Sequence, residues 1–192
     1  CRRHHRFIEN TFWKEITTPD GVERINFAQH LVQHAKIIMA DTFSQIYVQI
    51  VFAVRNRNAF IQTEWEERLY QYITGIVRNH EQKMIAINGI SNHIHLFIGL
   101  KPTCRISDLV REIKKSSTEF VNDNHLSKYK FHWQEGYGVF SYSNSQVDSV
   151  AKYVMNQKEH HRKTTFKEEY IDLLQKFNVE FKDEHLFDWI DV

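Results

Sequence analysis

The chain has 192 residues, 42% of them hydrophobic and 14% aromatic, which is ample for a packed core in one domain plus an appendage or in two small units. A formal net charge of +1 argues against a bulk polyanion binder of the histone kind, although a local basic face remains open because the charge is unevenly spread. There is no run of 18 apolar residues to suggest a transmembrane span, and Cys1 and Cys104 form neither a disulfide framework nor a zinc pattern, so a cytoplasmic, reducing setting is expected.

Residues 1–38 read as an N-terminal extension, non-native or disordered. Cys1-Arg2-Arg3-His4-His5-Arg6 is basic, and Thr18-Pro19-Asp20-Gly21 signals a turn. Met39 opens what reads as a fresh start, so 39–192 is taken as the functional domain with a C-terminal helical tail.

From Ser44 the order is clear. Gln45 to Val54 is β-branched and aromatic and predicts a buried strand. Thr63-Glu64-Trp65-Glu66 has the form of a capping box and predicts a helix to about Asn79. Met84 to Ile90 predicts a second strand. His93 to Leu100 predicts a third, antiparallel to it across a two-residue turn at Ser91-Asn92. Ser107 is a candidate N-cap for a helix to about Asn122. Phe131 to Ser143 predicts a strand with an aromatic loop. Ser145 then starts a helix to about His161, and Thr165-Phe166-Lys167-Glu168 is a capping box for a last helix to about Phe177. The order β-α-β-β-α-β-α is solved economically by an α+β fold: an antiparallel sheet with helices packed on one side, ferredoxin-like or RRM-like.

The most informative stretch is Asn92-His93-Ile94-His95-Leu96. Side chains alternate faces along a strand, so His93 and His95 point the same way and Ile94 and Leu96 point the other. Two imidazoles at that spacing can hold one divalent metal. On the third predicted helix, Val147, Val150, Ala151 and Val154 form an apolar stripe that must face the sheet. Tyr153 and Gln157, four residues apart, flank it on one face.

Taken together, His93-Ile94-His95 on a central strand and Tyr153-x-x-x-Gln157 on a late helix resemble the HUH nucleases. More narrowly, they resemble the single-tyrosine transposases of the insertion sequence 200/605 group, over about residues 39–190. The Asn156-Gln157 pair fits the insertion-sequence branch better than the domesticated repeat-associated branch. Asn92 departs from the family, which often has Asp there and whose basal chain would begin near Met39.

The resemblance implies an HUH nuclease fold with Mg²⁺ or Mn²⁺ held by His93, His95 and Gln157. Two neutral imidazoles and an amide oxygen would leave the ion strongly Lewis acidic, with Mn²⁺ suiting the imidazoles better. It implies Tyr153 as the nucleophile, attacking a phosphodiester to give a 5′-phosphotyrosine and a free 3′-OH. A phenol of pKa about 10 needs activation for that. The implied substrates are single-stranded DNA hairpins at element ends, and the implied assembly is a homodimer.

Positive charge falls where such a substrate would need it. Arg55 and Arg57 follow the first strand, Arg105, Arg111, Lys114 and Lys115 lie on the second helix, and Lys158 extends the tyrosine helix. Trp133, with Tyr137 and Phe140, offers rings for base stacking. His160 and His161 read as phosphate contacts or solvated residues. The acidic tail after Thr165, Glu169 included, is expected to pack on the domain through Tyr170, Leu173, Leu174 and Phe177.

Competing readings are a non-catalytic RRM-like single-stranded nucleic-acid binding module, a metal phosphodiesterase that uses water, and a former transposase kept for regulation. An RRM-type binder should carry paired aromatics on its central strands, where this chain has histidines and Phe97.

Overall fold

The computed structural model describes residues 13–18, 21–26, 43–55 and 57–189. It has two compact units, Cys1–Phe43 and Ser44–Val192. In the first, β1 (Trp13–Thr18) pairs antiparallel with β2 (Gly21–Asn26), with Thr18 opposite Gly21 across the predicted turn. The histidines at 4, 5, 30 and 34 lie outside the described residues.

The second unit runs β3 (Ile46–Ala53), α1 (Thr63–Asn79), β4 (Lys83–Ile90), β5 (His93–Leu100), α2 (Ile106–Asp123), β6 (Gly138–Tyr142), α3 (Val147–Met155), α4 (Gln157–His160) and α5 (Phe166–Lys176). The strands form one antiparallel sheet in the order β4-β5-β3-β6, which places β5 and β3 at its centre. This is the predicted α+β order, and β5 has the predicted bounds.

The sheet's alternation divides the core. On one face Ile50, Phe52, Ile94, Leu96 and Ile98 are fully buried with Leu69 and Ile73 of α1 and Leu109 and Ile113 of α2. Each such side chain contributes about 1.5–3 kcal/mol of apolar burial. On the opposite face Phe97 and Ala86 pack with Val150 and Val154 of α3. The first two helices thus cover one side as expected, while α3 closes the second. His93 and His95 share Phe97's face, with Val51 opposite His95 and Gln49 opposite Phe97.

Three local signals play out differently. Helix α1 begins at Thr63, but with Gln62 as its N-cap and no side-chain capping bond, and the Glu66 carboxylate pairs with Lys158 instead. Helix α2 begins at Ile106 with Arg105 as N-cap, not Ser107. The tyrosine helix is not continuous to His161. Ser143 and Gln146 form a capping box on a short 3-10 turn, Asn144–Gln146, and α3 ends at Met155. Asn156 leaves helical geometry (φ −97°, ψ 18°), and the Met155 carbonyl accepts a bond from the Asn88 side chain at 2.6 Å.

Candidate metal and tyrosine site

Strand β5 sets the centre. His93 and His95 are both wholly buried, with ring centroids 4.9 Å apart. The break at Asn156 ends one helix and starts the next, so Tyr153 and Gln157 come to the same point from α3 and α4. Gln157 is wholly buried and the Tyr153 ring lies 6.1 Å from that of His95. The four residues read from the sequence are therefore brought together.

Two further residues complete the cluster. Thr165 and Glu168 form the predicted capping box, which starts α5 so that its apolar face, Phe166, Tyr170, Leu173 and Leu174, turns inward. Glu169 lies within that stripe and is only 3% exposed. Its Oε2 atom stands 3.4 Å from His93 Nε2, 3.2 Å from His95 Nε2 and 3.2 Å from His161 Nε2. His161, just past α4, has a buried side chain. The ligand atoms of His93, His95, His161 and Glu169 all lie within 4.8 Å of one another.

The other Glu169 oxygen ties the cluster to the tyrosine. Oε1 accepts a short hydrogen bond from the Tyr153 hydroxyl and another from Gln157 Nε2 at 3.0 Å. Oε2, His95 Nε2 and Gln157 Oε1 each lack a well-formed hydrogen bond. Orphaned buried polar atoms are costly, and two of them, Glu169 Oε2 and His95 Nε2, belong to the convergent cluster.

The surroundings fix the rings. Asn92 Oδ1 accepts from His93 Nδ1 at 2.7 Å, and the Thr164 carbonyl accepts from His161 Nδ1 at 2.8 Å. Phe166 stacks on the His93 ring, with centroids 3.9 Å apart. Tyr142 donates to Gln49 Oε1 at 2.7 Å, and the Gln49 amide nitrogen lies 2.6 Å from His95 Nδ1. Burial holds His93 neutral, pushing it down to about 3. Burial would raise the Glu169 carboxyl, but the pull of His95 more than offsets this and holds it well below the usual carboxylate range. Burial, reinforced by Glu169, pushes the Tyr153 phenol up, so in this arrangement it keeps its proton.

The residues expected at DNA divide. Arg55, Arg105, Arg111 and Lys115 are exposed. Arg111 pairs with Asp108 at 2.8 Å, and Arg105 approaches the same carboxylate at 4.0 Å. The Arg57 side chain lies outside the described residues. Lys158 is paired with Glu66. Lys114 is not a free cation. Its ammonium donates to the Gln134 carbonyl at 2.9 Å and to that of Gly136, and it lies over the Phe52 ring. Trp133 is a core residue and not a stacking platform. It packs edge-on against Phe52 and Phe131, and its indole N–H donates to Ser117 Oγ at 2.9 Å. Exposed Tyr137 is the ring left for stacking, in an open groove of about 680 Å³ that it shares with Arg111 and Lys115.

Reading His160 and His161 as solvated or phosphate-binding missed that His161 is inside, and reading the tail as packing alone missed Glu169. The available signal was a carboxylate in an apolar stripe, three residues after Phe166 and four before Leu173.

Among solved structures, a candidate transposase from Deinococcus radiodurans R1 aligns with 62% of this chain and 95% of its own length at 20% identity and a TM-score of 0.49. A REP-associated tyrosine transposase bound to a REP hairpin aligns with 80% of this chain and 95% of its own at 17% identity and a TM-score of 0.49. No curated protein matches the chain. Family membership rests on sequence. Residues 42–157 match the family described as "Transposase IS200 like", a span that opens just before β3, contains His93, His95 and Tyr153, and ends on Gln157. That span is more than half of the chain and carries the residues that the fold gathers around one buried point, so this chain belongs to the IS200-like transposase family.

Proposed function

We propose that this transposase-family chain cuts and rejoins single-stranded DNA at hairpin-marked element ends, with Tyr153 as nucleophile beside a divalent metal site that includes His93, His95 and Gln157. The observation that carries this reading is the Glu169 carboxylate, which receives the Tyr153 hydroxyl on one oxygen and faces the imidazoles with the other. Nucleophile and metal site are thereby one constellation.

When bound, a divalent ion would withdraw charge from the scissile phosphate and orient it. The protein's own groups do the rest. The Tyr153 oxygen forms the new bond to phosphorus, the bond from phosphorus to the 3′ oxygen breaks, and the strand leaves with a 3′-OH. The phenolic proton departs along the hydrogen bond to Glu169 Oε1, and the leaving 3′ oxygen takes up a proton in return, so that protons and charge balance. Attack by a second 3′-OH on the phosphotyrosine reverses these changes and reseals the strand, so bond energy is conserved and no nucleotide is consumed. Gln157 holds Glu169 in place through its amide N–H. Exposed Arg55, Arg105, Arg111 and Lys115, with Tyr137, supply phosphate contacts and a stacking ring. The protein acts as a homodimer.

A denaturing gel of the chain with labelled single-stranded hairpins, with Mn²⁺, Mg²⁺ or chelator, tests the reading. A metal-dependent covalent band that is lost in Tyr153→Phe is expected. Cleavage that survives in Tyr153→Phe without a covalent band would replace tyrosine by water. Binding without cleavage by hairpins carrying the element's own ends would favour an RRM-like binding module.

A further inference from the structure

We infer that His161 and Glu169 are themselves metal ligands beside His93 and His95, which makes the centre a three-imidazole, one-carboxylate site for a borderline first-row divalent ion in preference to Mg²⁺. The inference rests on the metal-dependent reading above and changes its ligand set.

The argument starts from ring tautomers. A backbone carbonyl can only accept, so the 2.8 Å contact to Thr164 places the His161 proton on Nδ1. The Asn92 side-chain oxygen does the same for His93. Both rings therefore present bare Nε2 lone pairs, and those two atoms lie 3.1 Å apart. Beside them stands Glu169 Oε2, anionic and almost wholly buried, which accepts no well-formed hydrogen bond and has only the His95 Nε2 atom, at 3.2 Å, turned toward it as a donor. Two lone pairs and a carboxylate oxygen converging in the interior repel one another unless a cation lies among them. A metal-bound histidine characteristically gives its other ring N–H to a carbonyl or carboxylate, and His93 and His161 already do so.

The chain builds this deliberately. The His161 N–H closes the last turn on the Gln157 carbonyl at 3.0 Å, and the Thr165 cap then turns the chain so that Glu169, one turn into α5, returns to the same point. Imidazole-rich sites with one carboxylate favour Zn²⁺, Co²⁺ or Mn²⁺ over Mg²⁺, which prefers oxygen ligands and retains its waters.

The test is a titration of chelator-treated full-length protein with Co²⁺, read by visible absorption, with Mg²⁺ and Zn²⁺ as competitors. Wild type is expected to bind one Co²⁺ per chain, to be displaced by Zn²⁺ and to resist a large excess of Mg²⁺. Glu169→Gln and His161→Asn should each weaken Co²⁺ by about tenfold or more and alter its spectrum. Should either variant fail to fold, the proton NMR spectrum of Co²⁺-loaded wild type decides, since three hyperfine-shifted imidazole N–H signals are expected and two would exclude His161. Wild-type affinity in both variants, with loss in Gln157→Ala, would overturn the inference and restore the smaller ligand set. No Co²⁺ binding by wild type would also overturn it and leave a bridging proton between the rings. The covalent-band assay judges the tyrosine reaction separately in either case.

Discussion

The Nε2 atoms of His93 and His161 face each other across 3.1 Å, although one ring comes from the central strand and the other follows a helix 68 residues later. As neutral rings neither can offer the other a proton, because each has given its one N–H to a fixed oxygen. In water this would cost little. Among buried groups, where the local dielectric is low, it costs free energy that a positive charge between the rings would relieve.

Gln49 should control His95. As arranged, Tyr142 directs the Gln49 amide N–H at His95 Nδ1, so the His95 proton sits on Nε2, facing Glu169. Metal at Nε2 requires that proton to leave and the amide to turn over so that its oxygen receives Nδ1–H. Gln49→Ala is expected to weaken Co²⁺ binding about 10- to 100-fold, in the range seen for groups behind a ligand. Calorimetric titration checks this, and an unchanged affinity would mean that His95 needs no such support.

Gly89 should be intolerant of any side chain. A Cβ there would sit 2.2 Å from the His93 carbonyl oxygen and 2.8 Å from the Ile94 Cα, both backbone atoms that cannot swing aside. Gly89→Ala is expected to cost about 1–3 kcal/mol of stability and to displace β5 at its first histidine. Urea denaturation and Co²⁺ titration of the same sample should show both losses together.

Lys114 reads as a staple. Its ammonium holds the Gln134 and Gly136 carbonyls, and burial lowers its pKa to about 8. Lys114→Met is expected to cost about 1–3 kcal/mol and to leave Co²⁺ affinity unchanged. A large loss of hairpin affinity with no loss of stability would return Lys114 to the phosphate contacts.

Acid should unfold the metal-free protein early. His93 is held neutral down to about 3 in the folded chain, whereas an unfolded histidine takes up its proton near the ordinary 6.5. Between those values the unfolded state binds more protons, so stability falls as pH drops. Glu169, held below the ordinary carboxylate value, acts in the same direction. The urea midpoint of chelator-treated protein should decline steadily from pH 6.5 toward pH 3. His93→Gln should flatten the upper part of that decline.

Much of this was legible because it depends on short-range rules. Period-two alternation alone put His93 and His95 on one face, and the Thr165 box fixed where α5 begins. The rest depends on partners distant in sequence. Thr63 and Glu66 have the same spacing as Thr165 and Glu168, yet no box forms there, and Glu66 pairs with Lys158, 92 residues away. The end of α3 depends on Asn88 reaching its last carbonyl from β4. Trp133 looked available for stacking because nothing local shows that Ser117 will receive its N–H. Glu169 looked like one more charge in an acidic tail, although its place in the apolar stripe with Phe166 and Tyr170 marks the face on which it points inward.

For the proposed reaction, the buried charge on Glu169 also implies an order of assembly. A phosphodiester approaching a centre that holds a bare carboxylate is one anion meeting another, and the tyrosine beside it is locked as a phenol. Loading a dication reverses the sign of what the strand encounters. Under the function proposed above, the site admits its metal first and its DNA second, and a chain starved of metal is guarded against idle nicking by its own glutamate.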